Sequence, residues 1–76
     1  MKNKLKYYMN LYYPMIIERD YNNTFIVRFP DLPGCLTNGK TIEEAIKNSE
    51  DAKLCWFSAC LEDNITIPEP SEKLAI

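Results

Sequence analysis

The 76-residue sequence contains no histidine and only two glycines, and these shortages exclude several classes of site. Without histidine, the chain has no side chain that ordinarily gains or loses a proton near neutral pH. Its three cysteines include no CxxC pair, so they do not match the ligand spacing of a structural zinc site. Two glycines are too few for a glycine-rich phosphate loop. Histidine-based catalysis, zinc binding and a phosphate loop are therefore not predicted.

Long apolar runs and an excess of positive charge are also missing. No stretch approaches the roughly 20 apolar residues that a membrane-spanning helix needs, and residues 11–17 lack the cleavage site of a secretory signal. Nine basic residues stand against eleven acidic ones, which gives a net charge of −2, whereas nucleic-acid-binding domains concentrate basic residues on one face. We therefore expect a cytoplasmic protein with no membrane partner and no autonomous DNA binding.

The composition predicts one small folded domain. Hydrophobic residues make up 46% of the chain, which is more than a disordered chain of this charge contains. A chain of this size buries only roughly 60% of its unfolded surface, so a homo-oligomer, either a dimer or a tetramer, is expected. Because Lys2, Lys4 and Lys6 cluster at the amino end, we expect a flexible arm over residues 1–10, a domain over residues 11–70 and a tail over residues 71–76.

The order of apolar patterns predicts an α+β fold, β-β-β-α-β, with a three-stranded antiparallel sheet, one long helix and a short fourth strand. Residues 11–19 and 24–29 are rich in β-branched and aromatic side chains, and the polar residues 20–23 between them predict a hairpin. Residues 35–38 are the third predicted strand and residues 65–67 the fourth. In the second strand, Phe25, Val27 and Phe29 alternate with polar or exposed positions and are expected to face the core.

The loop before the helix carries both glycines. Pro30 and Pro33 remove two backbone donors and fix φ, so this segment cannot continue a central strand. Gly34 can supply a positive φ, and Gly39, after Asn38, offers a second turn of the same kind. A rigid loop is therefore predicted over residues 30–34, between the second and third strands.

A capping box predicts that the helix begins at Ile42. In this pattern the Thr41 hydroxyl accepts a hydrogen bond from the Glu44 amide, and the Glu44 carboxylate accepts one from the Thr41 amide. The helix is expected to reach about Glu62, with Trp56 as the large side chain that fills the space above the sheet. Its predicted core face consists of Ile42, Ala45, Ile46, Ser49, Ala52, Trp56, Ala59 and Cys60. Leu54, Phe57 and Leu61 lie outside that face, either at its edge or in contact with a partner.

One ordered combination of motifs resembles the HicB family of bacterial antitoxins. The combination begins near Tyr12-Tyr13-Pro14, continues with TNGKTIEEA over residues 37–45, and ends with IPEPS over residues 67–71. Its central motif loop consists of Phe29, Pro30, Asp31, Leu32, Pro33, Gly34 and Cys35. The resemblance implies a truncated RNase H-like or double-stranded-RNA-binding-like fold and a small basic HicA toxin, which cleaves mRNA, as the partner. Many relatives carry a DNA-binding domain beyond the position of Ile76.

The resemblance favours an antitoxin-like module that blocks the toxin's RNA-binding face and needs neither catalytic residues nor a cofactor. The candidate contacts are Tyr12, Pro14, Ile16, Ile26 and Arg28 on the second sheet face, and Leu54 and Leu61 on the helix. A homo-oligomeric regulatory protein without a toxin is the alternative. A metal-dependent nuclease that uses the carboxylates of Glu18, Asp20, Asp31, Glu43 and Glu44 is a weaker one, because helix capping and loop hydrogen bonds explain these residues. Cys35, Cys55 and Cys60 are interpreted as reduced, small apolar side chains.

The capping box leads to a stability prediction. Replacing Thr41 with Ala should lower the free energy of unfolding by about 0.5–2 kcal/mol, because the first helical amides lose a hydrogen-bond acceptor. Equilibrium denaturation in urea measures this loss. An unchanged free energy of unfolding would mean that the helix begins elsewhere.

Overall fold

The computed structural model describes residues 2–71 and places five elements in them. In chain order these are α1 (Lys2–Met9), β1 (Ile16–Arg19), β2 (Phe25–Arg28), β3 (Leu36–Gly39) and α2 (Ile42–Glu62). The strands form one antiparallel sheet in the order β1-β2-β3. The predicted α+β fold, with a three-stranded antiparallel sheet and a long helix, is confirmed.

The first two strands form the expected hairpin, although β1 is shorter than predicted. The Asp20 amide donates to the Thr24 carbonyl at 2.7 Å, and Asn23 adopts a left-handed φ of 63°, which asparagine tolerates better than most residues. β1 begins only at Ile16, two residues after Pro14. Proline has no amide to donate to a ladder, so the predicted start of this strand at residue 11 is wrong.

Strand register separates the sheet into two faces. Val27 lies opposite Ile17 on one side and Thr37 on the other, and directly opposite residues in an antiparallel pair point to the same face. Val27 is fully buried and Phe29 nearly so, while Phe25 packs against the core at its margin. The predicted core face of β2 is therefore confirmed.

The start of α2 follows the predicted capping pattern with one change. The Thr41 hydroxyl accepts from the Glu44 amide at 3.0 Å, and the helix begins at Ile42 as predicted. The Glu44 carboxylate, however, accepts from the Lys40 amide at 2.6 Å, one residue before the expected donor. At the other end, the Asp63 amide donates to the Ala59 and Leu61 carbonyls, which ends the helix after Glu62.

The buried face of α2 is rotated relative to the prediction. It consists of Ala45, Ser49, Lys53, Phe57 and Cys60. Ile42 and Ile46 are 46% and 38% exposed instead, and Ala59 is also exposed. The apolar pattern predicted the wrong face because Lys53 lies in the middle of the buried face, where a charged residue is rare. Its ammonium group lies 3.4 Å from a Glu50 carboxylate oxygen, which gives the buried charge a partner.

Phe57, which the sequence pattern placed at the edge of the core, lies at its centre. Its ring is fully buried and lies 5.6–5.9 Å, centroid to centroid, from the rings of Tyr8, Tyr13 and Trp56. Trp56 is only partly buried, and its indole N–H donates to the Pro33 carbonyl at 2.9 Å. The prediction that Trp56 fills the core is therefore wrong. This side chain instead hydrogen-bonds the helix to the motif loop.

The amino-terminal residues form a helix, in contrast to the expected flexible arm. Leu5, Tyr8 and Met9 of α1 pack against the core, and α1 contacts α2. These three residues recur at a spacing of three and four, which places them on one side of a helix. Lys2 and Lys4 before this stripe and Lys6 within it made the segment resemble a solvated terminus.

The segment after α2 crosses the domain without forming the predicted fourth strand. Ile67 is buried in the core, the Tyr13 hydroxyl donates to the Pro68 carbonyl at 2.7 Å, and the Ser71 amide donates to an Asp31 carboxylate oxygen at 2.8 Å. Pro68 and Pro70 cannot donate to a strand ladder, so side-chain hydrogen bonds hold the segment instead. The predicted tail, apart from residue 71, lies outside the described residues.

The two glycines of the motif region have different roles. Gly34 adopts a φ of 82°, as predicted. Gly39 is the last residue of β3, and a Cβ there would lie 2.8 Å from the Ala45 Cα and 2.9 Å from the Glu44 carbonyl carbon. Gly39 is needed for the close approach of β3 to α2, so the predicted turn at this residue is wrong.

Phe57 and Trp56 provide a test of where the core lies. Replacing Phe57 with Ala should lower the free energy of unfolding by about 3–5 kcal/mol, because it removes a fully buried ring and leaves a cavity. Trp56→Ala should cost less, since that side chain is partly exposed. Urea denaturation of both variants measures the difference, and a larger loss for Trp56→Ala than for Phe57→Ala would contradict this packing.

Candidate protein-binding surface

The side of the sheet that faces away from α2 carries a mixed apolar and charged surface. We call it the outer sheet face, and it consists of Ile16, Glu18, Ile26, Arg28, Leu36 and Asn38. Ile16 is 36% exposed and Leu36 is 59% exposed, while Ile26 is half-buried. Exposed apolar side chains that group on one side of a sheet can mark a protein-protein contact.

Register arranges the outer sheet face in two rows. Arg28 lies opposite Ile16 on one side and Leu36 on the other, and the next row on this face places Ile26 between Glu18 and Asn38. The Arg28 guanidinium lies 3.4 Å from a Glu18 carboxylate oxygen. Because both side chains are about half exposed, this ion pair contributes only about 0–1 kcal/mol to stability. Both side chains could therefore leave this ion pair and contact a partner at little cost in free energy.

β1 is exposed on both of its sides. α2 packs against β3 and β2, so the side of β1 that faces the helix layer is not fully covered, and Ile17 on that side is 38% exposed. All four residues of β1 are exposed. The Arg19 guanidinium lies 5.9 Å from the centre of the Phe25 ring and covers part of this open side.

The structure brings together some of the predicted contact residues and separates others. Ile16, Ile26 and Arg28 share the outer sheet face. Tyr12 and Pro14 precede β1, where Tyr12 is 81% exposed and Pro14 is half-buried. Leu36, which also lies on this face, was missed because the short third strand carries only one large apolar residue besides a cysteine.

The helix residues proposed as contacts lie in a different layer. Leu54 is 41% exposed on α2. Leu61 is partly buried against the core and lines a cavity of about 320 Å³ together with Lys4 and Tyr8 of α1. Leu54 and Leu61 therefore do not extend the outer sheet face, and α1 limits access to Leu61.

The motif loop is a structural element of the core. The Leu32 amide donates to the Phe29 carbonyl and the Cys35 amide to the Leu32 carbonyl, both at 2.9 Å. The side chains of all three residues are buried. Asp31, between the prolines, accepts from the Ser71 amide, and Pro33 accepts from the Trp56 indole. The loop therefore ties together the sheet, α2 and the carboxy-terminal segment.

Three of the acidic side chains each make a different local contact. Glu18 pairs with Arg28, Glu44 accepts from the Lys40 amide, and Asp31 accepts from the Ser71 amide. Within residues 2–71, no group of three or more histidine, cysteine, aspartate or glutamate side chains is arranged to hold a metal ion. In the same range, no helix is long and apolar enough to cross a membrane.

The three cysteines are free thiols in two different environments. Cys35 and Cys60 are buried and Cys55 is exposed. Burial raises the pKa of the Cys35 thiol, an effect that the positive charge of Lys53 opposes. Burial also raises the pKa of the Cys60 thiol, and the negative charge of Asp63 adds to the effect. The interpretation as small apolar side chains fits Cys35 and Cys60 but not Cys55.

Comparison with known proteins identifies relatives of this chain. The family model described as HicB-like antitoxin of bacterial toxin-antitoxin system matches residues 13–75. Antitoxin HicB 2 of Photorhabdus laumondii is 42% identical over 64 residues, which are 84% of this chain and 45% of that protein. Antitoxin HicB of Escherichia coli is 39% identical over 59 residues, which are 78% of this chain and 43% of that protein.

A relative of similar length also matches. The UPF0150 protein of Thermoplasma acidophilum is 38% identical over 56 residues, which are 74% of this chain and 81% of that protein. The chain thus spans less than half the length of the two HicB antitoxins compared but most of the length of this relative. α1 lies before the residues that the family model matches.

Tyr13, the first residue of the matched region, donates to the Pro68 carbonyl and gives a pH-dependent prediction. Burial, with a further contribution from the charge of Glu69, raises the pKa of Tyr13 from 10.0 to about 12. Its neutral form is therefore favoured in the folded state. The stability it contributes is present below pH 10 and is lost as the pH rises through about 12.

Tyr13→Phe should cost about 0.5–1.5 kcal/mol at neutral pH, because the hydrogen bond to Pro68 is lost. Between pH 10 and 12, the variant should lose less stability than the parent. Urea denaturation over this range measures both effects, and Tyr21→Phe is the control because Tyr21 is fully exposed. Equal pH profiles for Tyr13→Phe and the parent would contradict the assignment.

Proposed function

Because the chain belongs to the HicB-like antitoxins of bacterial toxin-antitoxin systems, we propose that it neutralises a HicA-type toxin by covering the toxin's RNA-binding face. The antitoxin would act by steric exclusion of mRNA. A partner bound in this way needs a surface that is apolar at its centre and open to solvent in the free chain. The observation that carries the proposal is the outer sheet face, with its exposed Ile16 and Leu36.

The composition of the outer sheet face supports a protein-binding role. Burying Ile16, Ile26 and Leu36 against a partner would supply most of the affinity, since a few central side chains usually dominate an interface. Glu18 and Arg28 are already paired with each other, so neither charge enters the interface without a partner. Discrimination between toxins would come from the shape of these rows and from the ion pair between them.

Net charge supports fast association with a basic toxin. The chain carries a net charge of −2, and opposite charges accelerate encounter between proteins. Glu43 and Glu44 begin α2 and are both exposed, but Glu44 is engaged in the helix cap. Glu43 is therefore the acidic residue of this pair that would act through long-range attraction. Such attraction weakens at high salt because counterions screen it.

The proposed role requires no chemistry from this chain. It contains no histidine, and the carboxylates of Glu18, Glu44 and Asp31 serve as an ion-pair partner, a helix cap and a loop acceptor, respectively. These local roles support a binding function over a nuclease function. The chain's contribution would be the shape and charge of one sheet face.

A homo-oligomeric regulatory protein without a toxin is the second candidate. It is favoured by β1, whose four residues are exposed although two of them are isoleucines. The reading frame beside the gene distinguishes the two candidates. A short frame that encodes a small, basic, histidine-containing protein supports the antitoxin function, and its absence supports the alternative.

Co-expression with the product of that neighbouring frame tests the proposal directly. Ile16→Lys and Ile26→Glu should each weaken toxin binding by about 2 kcal/mol or more, roughly thirtyfold in Kd, because a charge would be desolvated at the centre of the interface. Growth rescue and co-purification measure the effect. Ile46→Lys is the matched control, since Ile46 is 38% exposed, almost as Ile16 is, but lies on α2.

Circular dichroism must show that all three variants are folded. If folded Ile16→Lys and Ile26→Glu rescue growth as well as the parent, the outer sheet face is not the neutralising surface. If the parent itself neither rescues growth nor co-purifies with the toxin, the antitoxin function fails for this chain.

A further inference from the structure

A partly open cavity lies between the end of α1, the middle of α2 and the residues just before β1. Its volume is about 310 Å³, at the lower end of the roughly 300–1,000 Å³ that small-molecule sites occupy. Its apolar wall consists of Met9, Leu11, Met15 and Phe29. Met15 and Phe29 continue the alternation that buries Val27, so the cavity lies on the helix side of the sheet.

Lys53 gives this cavity a positive charge that is almost completely withdrawn from solvent. Its side chain is only 8% exposed and lines the cavity, and its ammonium group lies 5.5 Å from the centre of the Phe29 ring. A charge buried to this degree costs free energy unless it is well paired. The quality of that pairing therefore decides whether Lys53 is available to a ligand.

Glu50 pairs with Lys53 only loosely. The distance between Lys53 Nζ and the nearer Glu50 carboxylate oxygen is 3.4 Å, whereas a charge-assisted hydrogen bond of this kind is about 2.7–2.9 Å long. The Glu50 side chain is 55% exposed, and among the described residues it is the one ion-pair partner of Lys53. A carboxylate that enters the cavity can therefore take the place of Glu50, whose own carboxylate then turns to solvent.

The groups that line the cavity define the class of ligand. One lysine beside one carboxylate suits a single negative charge, because the charge of Glu50 repels a doubly charged phosphate more strongly. The apolar wall requires that the rest of the ligand be apolar. Met9 and Met15 belong to this wall, and thioethers make favourable contacts with aromatic rings. A small carboxylate with an aromatic body meets all of these conditions.

We propose that this cavity binds a small aromatic monocarboxylate. The carboxylate of the ligand accepts hydrogen bonds from the Lys53 ammonium group, and its ring lies against Met9, Met15 and Phe29. The site lies on the opposite side of the sheet from the outer sheet face, which stays free when the ligand is bound. The inference therefore goes beyond toxin neutralisation and does not depend on it.

Isothermal titration calorimetry with 3-phenylpropionate as the probe tests the role of the two charged residues. Lys53→Met should weaken binding about tenfold or more, because it removes a charged hydrogen-bond donor and keeps an apolar side chain. Lys47→Met is the matched control, since it removes the same charge from an exposed position on the same helix, and it should bind as the parent does. Glu50→Gln should bind more tightly than the parent, because the competing carboxylate is gone.

The uncharged analogue 3-phenylpropan-1-ol provides a comparison that needs no variant. It has the same ring and chain length but no negative charge, so the parent should bind it at least about tenfold more weakly than 3-phenylpropionate. Methyl NMR of methionine- and isoleucine-labelled chain locates the probe. The Met9 and Met15 signals should shift and saturate, while those of Ile16 and Ile26 on the sheet should not move.

Equal affinities for the acid and the alcohol would overturn the proposal, and so would unchanged binding by folded Lys53→Met. Absence of shifts at Met9 and Met15 up to the solubility limit of the probe would overturn it as well. So would weaker binding by folded Glu50→Gln, since Glu50 would then hold the ligand. Circular dichroism shows whether each variant is folded, and the comparison of acid with alcohol stands even if Lys53→Met does not fold. No toxin enters these measurements, so their outcome is separate from that of growth rescue.

Discussion

The close packing of α2 across β2 and β3 is the constraint on which the rest of the structure depends. Gly39 permits it, because a Cβ at this position would lie only 2.8 Å from the Ala45 Cα. The helix and the inner side of the sheet then enclose Val27 and Phe57, neither of which is exposed to solvent.

Among residues 2–71, α1 and the carboxy-terminal segment pack near the helix layer. α1 contacts α2, with the Tyr8 ring 5.7 Å from the Phe57 ring, and the carboxy-terminal segment adds Ile67 to the same core. The outer sheet face and β1 are left open as a result. Binding through the sheet is therefore a consequence of where the helix lies, and two different parts of the sheet are available, one face and one edge.

Local signals in the sequence account for much of this fold but not for the position of its layers. The cap at Thr41 predicted the start of α2, and strict alternation predicted that Val27 is buried. The buried face of α2 was not predicted, because a lysine, Lys53, lies in the middle of it. The buried charge of Lys53 is stabilised by the neighbouring Glu50 carboxylate, which no apolar pattern reveals. Ile16, Ile26 and Arg28 were correctly assigned to one sheet face. The openness of β1 depends on the lateral position of α2, which is a tertiary property that no local pattern encodes.

Isoleucine methyl groups lie both on the sheet and on α2, so their NMR signals distinguish binding at one layer from binding at the other. They provide the most direct test of the claim that this chain binds its partner through the sheet. Ile16 and Ile26 lie on the sheet, and Ile42 and Ile46 lie on the exposed side of α2. The measurement is a methyl NMR titration of isoleucine-labelled chain with the purified product of the neighbouring reading frame. Binding through the sheet predicts large shift changes at Ile16 and Ile26 and small ones at Ile42 and Ile46. The reverse pattern, with the α2 methyl groups perturbed and Ile16 and Ile26 unchanged, would contradict it.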